Sequence, residues 1–318
     1  MTGVQKAKVD VALGPDQRAD AAAAAVLRRL LTVVAENVDG AIAGEDLEYL
    51  HQLRIAVRRS RTVQRQLRHV FPALELPGFR SDFRWLQRAT GEPRDLDVYV
   101  GQFGSLAKLL PEALHDDLGP MRTVLVEHQQ AARAGLERTL RSRRNAELMD
   151  DWERLLESLV ELPLEDRPDA ARTISDLCGE RIARVYRTIV AVGEKVSDAS
   201  AAEEFHALRK KCKELRYLLE LFGVQLFDEA VVGPLIDSLK DLQELLGRHQ
   251  DREVQIAMVR SLTDEVAPRP GGGPACLAMG TLVARLRDDE LAARREFAEP
   301  FASLASPDRR DAVQETFG

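Results

Sequence analysis

A histidine followed by a row of arginines is the first feature of the sequence that could carry out chemistry. The segment from His51 to Arg68 holds six arginines and no acidic residue. At about 100° per residue in a helix, one row falls within an arc of about 100° beside an apolar stripe: His51, Arg54, Arg58, Arg61, Arg65 and Arg68. A guanidinium stays charged and binds phosphate oxygens bidentately, so the row predicts a site for a ligand with many phosphates.

The same spacing returns later in the chain. His206 is followed by Arg209, Lys213 and Arg216, an offset of 206 − 51 = 155 residues. A second motif, Arg94-Asp95-Leu96-Asp97, matches Gln250-Asp251-Arg252-Glu253 at an offset of 156. Two motifs in the same order at nearly the same spacing predict an internal duplication.

Composition favours an all-helical protein. The 318 residues are 45% hydrophobic and 31% charged, with only 5% aromatic residues. A net charge of −7 argues against a generally basic nucleic-acid binder, so the important basic residues must be concentrated. The sequence has no apolar run that is long enough to predict a membrane span. Three cysteines without metal-ligand spacing favour a reduced, cytoplasmic setting.

The predicted fold is all-α, with two pseudo-symmetric helical bundles packed as one body around a basic groove or pore. Residues 1–17 are expected to form a disordered tail, 18–162 the first bundle and 168–306 the second. The first basic helix is placed at 45–71. Glycines at 91 and 247 are expected to end helices, new helices are expected near 95 and 251, and the chain after 307 is expected to be loose.

Several interpretations of these residues stay open. The arginine row could be a solvated face, although its acidic partners would have to come from other helices. Asp95 and Asp251 could cap helices, or could orient the arginines together with Asp97; a catalytic carboxylate pair is a weaker alternative. Glu48-x-x-His51 and Glu203-x-x-His206 have the spacing of di-metal sites, but nearby arginines would repel a dication. Neither metal nor cofactor is therefore expected.

The candidate ligand contacts share a basic side chain on, or beside, the two rows. They are His51, Arg54, Arg58, Arg59, Arg61, Arg65, Arg84, His206, Arg209, Lys210, Lys213, Arg216 and Lys240. Arg122, Arg133 and Arg138 on a following helix are weaker candidates.

The duplicated His-x-x-Arg and Arg-Asp-Leu-Asp motifs resemble the CHAD (conserved histidine α-helical domain) family over roughly residues 18–305. The resemblance implies two helical bundles with a basic groove or pore that binds inorganic polyphosphate, and some members of the family go to polyphosphate granules. The ligand contacts that the resemblance implies are His51, Arg54, Arg58, Arg61, His206, Arg209, Lys213 and Arg216. Gln250 and Glu214 stand where the first copy has bases, so weaker binding is expected in the second half.

The resulting expectation is non-enzymatic polyphosphate binding in the cytoplasm, with granule proteins as candidate partners and no membrane partner. No alternating Glu-x-Glu strand is present, so a triphosphate-tunnel hydrolase unit is not expected. Nucleic-acid binding is a disfavoured alternative because few aromatics lie near the rows. A metal-dependent phosphohydrolase is the enzymatic alternative.

Overall fold

The computed structural model describes residues 3–318, and this part of the chain is built from α-helices without a β-strand. About 78% of it is helical, which confirms the all-α prediction. An isolated bridge between Arg18 and Thr173 is the nearest approach to sheet pairing that these residues make. None of the helices in the described chain is both long enough and apolar enough to cross a membrane.

Seven α-helices form the first half of the described chain. They are α1 (Ala19–Ala43), α2 (Leu47–Gln66), α3 (Leu76–Ala89), α4 (Gly91–Gly101), α5 (Phe103–Ala107), α6 (Gly119–Leu140) and α7 (Arg143–Ser158). Helix α1 ends at Gly44, whose φ of 68° is left-handed and costs glycine little. Asp46 then caps the basic helix α2, because its carboxylate accepts a hydrogen bond from the Glu48 N–H at 2.8 Å.

The second half adds eight helices and a π-helical turn over Leu219–Gly223. They are α8 (Ile174–Gly193), α9 (Ala202–Leu218), α10 (Val224–Leu226), α11 (Glu229–Ser261), α12 (Thr263–Val266), α13 (Gly272–Arg295), α14 (Ala298–Leu304) and α15 (Pro307–Phe317). The Thr173 hydroxyl caps α8 by accepting from the Asp176 N–H.

Two hydrophobic cores hold the helices together, and each one draws on both halves. The larger core joins α1, α2, α3 and α7 to α8, α9 and the first part of α11. The smaller core joins α4, α5 and α6 to the last part of α11 and to α13. Arg167 is buried between the halves and bonds to Asp20 at 2.7 Å. The assignment of 18–162 and 168–306 as copies of one unit stays a prediction.

Helix α11 corrects the prediction of a helix end at Gly247. It runs without interruption from Glu229 to Ser261 and therefore contains both Gly247 and Asp251. Gly91 likewise begins α4 instead of ending α3 as a left-handed cap, and in residues 3–318 only Gly44 and Gly271 have a positive φ. Asp95 and Asp251 thus lie inside helices, so their interpretation as N-caps is wrong.

Both ends of the described chain are packed, contrary to the expectation of loose tails. Residues 3–17 form no helix, but Ala7, Val9 and Leu13 are buried, and the Ala7 N–H donates to Gln52 Oε1 at 2.8 Å. Residues 1 and 2 of the predicted tail lie outside the described residues. After residue 307 the chain forms α15, whose Phe317 ring lies 4.7 Å from that of Phe227. Alternating apolar side chains fix the N-terminal segment onto the larger core, and Val313 and Phe317, four residues apart, fix α15 onto it.

Candidate anion-binding cleft

Helices α2, α4 and α11 surround a cavity of about 330 Å³ that is open to solvent. Its lining is mostly polar and comes from both halves of the chain: His51, Arg54, Arg58, Arg94, Asp95, Val98, Tyr99, Gln102, Asp251, Val254 and Gln255. Helix α9 stands beside it, since Arg209 and Lys213 act electrostatically on Asp251. We call this cavity, together with the adjoining side chains of Arg209 and Lys213, the cleft.

On the α2 side of the cleft, Arg54 is held in place by the end of α3. Its Nη1 donates to the Gln87 carbonyl at 3.2 Å and lies 3.3 Å from Thr90 Oγ1. Burial lowers the pKa of Arg54 to about 10; Asp95 opposes this shift, and Arg58 and Arg94 add to it. The side chain remains charged at neutral pH, in a position fixed before any ligand arrives.

On the α9 side, Arg209 lies flat against helix α11 at Gly247. A Cβ at that position would come within 3.2 Å of Arg209 Nη2, so the glycine allows the guanidinium its close approach. Burial, together with the charges of Arg209, Arg58 and Arg216, lowers the pKa of Lys213 to about 7. Because Arg58 belongs to α2, these shifts also indicate that the two basic helices face each other across the cleft.

The cations of the cleft lack carboxylate partners at contact distance. In residues 3–318, Arg54, Arg58, Arg209 and Lys213 form no ion pair within 4.0 Å, although other members of the two rows do. The Nε atoms of Arg58 and Arg209 are buried and make no hydrogen bond. Buried donors without acceptors cost free energy, so an anion that supplied oxygens here would be stabilised.

Asp95 and Asp251 enter the same cleft from α4 and α11. Their carboxylates reach solvent, but the concave wall removes part of their hydration, and this desolvation raises the pKa of each. Arg54 opposes the shift most strongly at Asp95, and Arg209 does so at Asp251. Neither aspartate makes a hydrogen bond to the rows in the described chain, so both act on the arginines through charge at longer range.

Asp97 orients a different arginine from those of the two rows. It is buried and accepts from Arg133 Nη2 at 2.8 Å and from Gln129 Nε2 at 2.7 Å. Arg133 also donates to the Gly44 carbonyl at 3.2 Å, which ties α6 to the turn between α1 and α2. Asp97 therefore supports the start of the basic helix and does not contact the cleft cations.

Four of the predicted contacts are occupied by other partners. Arg59 bonds to the Ala7 carbonyl and to Glu220, which also pairs with Arg216 at 3.3 Å. Arg65 pairs with Glu214 at 3.1 Å, and the exposed Lys240 pairs with Asp237 at 2.9 Å. Glu220 and Glu214, the acids that pair with arginines of α2, come from elsewhere in the chain, as the ion-pair interpretation required. That interpretation therefore describes part of the rows but not the cleft.

The remaining predicted contacts lie at the edges of the cleft or outside it. His51 lines the cavity, and burial together with Arg94 lowers its pKa. Burial also lowers the pKa of His206, whose Nδ1 meets the Gln250 side chain. Lys210 is exposed on α9, and Arg61 and Arg84 lie next to each other beyond the cleft.

The structure does not bring together the two Glu-x-x-His pairs that had the spacing of a di-metal site. Glu48 instead bonds to Gln52 at 2.5 Å. In the described chain, three metal-type ligands converge at a different place, formed by His249, Glu253 and Glu290. Glu290 is already bound by Arg294 and by Arg287, so its charge is compensated without a metal.

Sequence reasoning left several cleft residues out of the candidate contacts. Arg94 was part of the quoted motif but was not proposed as a contact, although it lines the cavity beside Arg54. Tyr99, Gln102 and Gln255 have no distinctive spacing and are placed there by helix packing alone. Arg80 and Arg88 lie four residues on either side of Arg84, and the same periodicity argument could have identified them.

Comparison with known proteins agrees with this architecture. The family model described as CHAD domain matches residues 25–260. Uncharacterized proteins MT2285 and Rv2226 of Mycobacterium tuberculosis (strains CDC 1551 / Oshkosh and ATCC 25618 / H37Rv) are each 25% identical over 221 residues, which is 68% of this chain. The chain spans 40% of the length of each of these relatives.

Two solved structures share the fold. The crystal structure of the CHAD domain from the plant Ricinus communis matches with a TM-score of 0.80 at 24% identity, covering 96% of this chain and 97% of that one. PptA from Streptomyces chartreusis matches with a TM-score of 0.69 at 17% identity, covering 90% and 99%. At these sequence identities, the structural similarity supports a shared fold and nothing more specific.

Proposed function

The chain belongs to the CHAD domain family, and from that premise we propose that it binds inorganic polyphosphate in the cleft without altering it chemically. The observation that carries the proposal is the convergence of four cations that have no carboxylate partner within 4.0 Å in the described chain: Arg54, Arg58, Arg209 and Lys213. Asp95 and Asp251 offset part of their mutual repulsion at longer range, and an anion with several charges would relieve the rest.

A linear chain of phosphates fits this arrangement better than a single small anion. The cations come from two helices that face each other, so successive phosphates could contact α2 and α9 together. Guanidinium groups bind phosphate oxygens bidentately, and the free Nε–H groups of Arg58 and Arg209 are further donors. Arg54 is held in place by Gln87 and Thr90, which reduces the entropy lost on binding.

Binding without chemistry is proposed because the residues lining the cleft offer charge and hydrogen-bond donors. Its described lining holds no serine, threonine or cysteine that could act as a nucleophile. The phosphohydrolase alternative would require Asp95 or Asp251 to act as a general base that activates water. Release of inorganic phosphate from polyphosphate by the purified protein would support that alternative instead.

We also propose that the protein acts in the cytoplasm and accompanies polyphosphate to granules, where granule proteins would be its partners. RNA is the competing polyanion. It is disfavoured because Phe205 and Tyr217, the aromatic residues next to the α9 row in sequence, are buried, and Tyr99 is the one aromatic ring besides His51 in the described lining. Binding of single strands usually uses several exposed aromatic platforms.

The test is a titration of long-chain polyphosphate into the wild-type protein and into an Arg54→Ala/Arg58→Ala/Arg209→Ala variant. Tight binding that is lost in a variant with an unchanged helical spectrum supports the cleft. Three exposed arginines with their own acidic partners, Arg143, Arg154 and Arg184, give a charge-matched control. RNA at equal phosphate concentration should compete weakly. No binding by wild type, or equal loss in the control, would refute the proposal.

A further inference from the structure

A row of arginines on α3 lies outside the cleft. Arg80, Arg84 and Arg88 are spaced by four residues, so successive side chains are turned by only about 40° and share one face. The row is about 12 Å long at ~1.5 Å per residue. Arg84 and Arg88 are exposed, and Arg80 is partly exposed. We call these three residues the α3 row.

The α3 row is close to α2 and is not neutralised. Burial lowers the pKa of Arg61 on α2, and the charges of Arg84, Arg65, Arg80 and Arg88 contribute to the same shift, so the whole α3 row is close enough to act on Arg61. In residues 3–318 neither Arg61 nor the row has an ion pair within 4.0 Å. Asp82, the acid on the same helix, is instead paired with Arg144 at 2.7 Å.

Gln87 connects the α3 row to the cleft. Its backbone carbonyl accepts from Arg54 inside the cleft, and its side-chain oxygen accepts from Arg61 outside it. Arg61 also follows Arg58 in the basic row of helix α2, about one helical turn further along. A polyanion leaving the cleft along α2 therefore meets cations continuously until it reaches α3.

The second half of the chain does not offer an equivalent exit. The positions that match the row, at the offset of 156, are Ile236, Lys240 and Glu244. Ile236 is buried, and Lys240 is paired with Asp237. A carboxylate and a neutralised lysine would not attract phosphates, so of these two matching segments only the one on α3 can extend the track out of the cleft.

We propose that the α3 row is a second binding segment for the same linear polyanion, and that it makes the protein select long polyphosphate chains over short ones. The inference rests on the proposed function, because the chain must first occupy the cleft. A short oligophosphate fills the cleft and does not reach the row. A long chain binds both segments at once, so the second contact is intramolecular and gains from effective concentration.

The experiment compares two ligands, tripolyphosphate and long-chain polyphosphate, at equal phosphate concentration. Both are titrated into wild type, into Arg80→Gln/Arg84→Gln/Arg88→Gln, and into Arg143→Gln/Arg154→Gln/Arg184→Gln. The last variant loses the same charge from exposed, acid-paired sites. Glutamine retains helix propensity, so all three proteins should keep the same helical spectrum and melting temperature.

The expected result is a selective loss. The row variant should bind long chains about tenfold or more weakly and tripolyphosphate as wild type does, because each lost phosphate contact removes a charge-assisted hydrogen bond. The control should bind both ligands normally. Unchanged long-chain affinity in the row variant, or equal loss in the control, would overturn the inference.

Three outcomes separate this inference from the proposed function. Failure of wild type to bind either ligand would refute polyphosphate binding itself, and the inference with it. Binding of long single-stranded RNA with the same dependence on the row, and as tightly as polyphosphate, would overturn selection for polyphosphate. Normal cleft binding with no role for the row would refute only the inference.

Discussion

The two basic helices carry the same spacing of histidine and arginine but meet different neighbours. Arg54 on α2 faces the break between α3 and α4, where the Gln87 carbonyl is available to accept its hydrogen bond. Arg209 on α9 faces Gly247 in the middle of α11, where the helix uses its own carbonyls. A helix end offers acceptors that a helix interior does not, so only Arg54 is held by hydrogen bonds.

The two sides also differ in charge at neutral pH. Arg94 lines the cleft beside α2, whereas the matching Gln250 beside α9 is neutral and contacts His206. Lys213 has its pKa lowered to about 7, so it is only partly protonated, while Arg58 at the matching position is an arginine and stays charged. The comparison indicates that α2 provides the stronger half of the cleft.

The largest effect should come from removing the α2 cations. Arg54→Ala/Arg58→Ala is expected to weaken polyphosphate binding roughly a hundredfold or more, since two charge-assisted hydrogen-bonding groups are lost at about 1.5–3 kcal/mol each. Arg209→Ala/Lys213→Ala should cost only about tenfold at neutral pH. Calorimetric titration of both variants measures the difference, and equal losses would contradict the asymmetry.

The α9 side should bind in a pH-dependent manner through Lys213. Polyphosphate stabilises the protonated amine, so affinity should fall as pH rises above about 7, by up to about tenfold per pH unit. His51 and His206 also face the cleft, but their pKa values are lowered by burial, so they carry little charge above pH 7. Asp95 and Asp251 face it as well, and desolvation raises the pKa of each. Titrations in a pH series measure the effect, and Lys213→Arg should abolish it. If the pH dependence of affinity survives this substitution, another group is responsible for it.

Lys213 should also affect folding, with the opposite dependence on pH. Its pKa is about 7 in the folded state and near the ordinary lysine value of 10.5 in the unfolded chain, which therefore binds more protons between these values. The free energy of unfolding of the ligand-free protein should thus rise with pH across this window. Chemical denaturation of wild type and Lys213→Met can show it: the variant should be more stable near neutral pH and lack this part of the dependence.

Restoring the missing arginine should reduce the difference between the two sides. Gln250→Arg places a cation where the first half has Arg94, and it frees His206 from its contact with the amide. We expect a gain in affinity of a few fold, because the new charge is partly exposed and screened by solvent. Gln250→Leu provides the comparison without charge, and a similar gain from leucine would rule out an electrostatic cause.

The smallest effect should come from the two glycines against which the arginines lie. A Cβ would come 3.2 Å from Arg209 at Gly247 and 3.4 Å from Arg54 at Gly91. Gly247→Ala should raise helix stability by up to about 1 kcal/mol while displacing Arg209 and weakening binding slightly. Gly91→Ala should change binding less. Thermal unfolding and titration of both variants measure these effects. A larger loss of binding in Gly91→Ala than in Gly247→Ala would contradict the prediction.

The fold class and the core of the cleft could be predicted from the sequence, because helical periodicity and the absence of acids are local features. His51, Arg54, Arg58, Arg209 and Lys213 all fall on the faces that the spacing assigned to them. The ends of helices were harder: Gly247 was expected to break a helix, but packing on both cores keeps α11 continuous.

The partners of individual arginines could not be predicted, because they depend on tertiary packing. Arg59 and Arg65 have the same sequence context as their neighbours, yet Glu220 and Glu214 reach them from more than a hundred residues away. The contact of Asp97 with Arg133 likewise requires α4 and α6 to lie side by side. Spacing identifies which residues share a face, whereas packing decides which of them remain free for a ligand.

The central claim is that the unpaired cations of the cleft, and not the total charge, bind the phosphates. The most direct measurement is the slope of log affinity for polyphosphate against log salt concentration. Wild type should show a steep negative slope, which Arg54→Ala/Arg58→Ala should reduce by roughly one for each lost contact. Arg143→Ala/Arg154→Ala removes acid-paired charges and should leave the slope unchanged. An equal change in both variants would contradict the account.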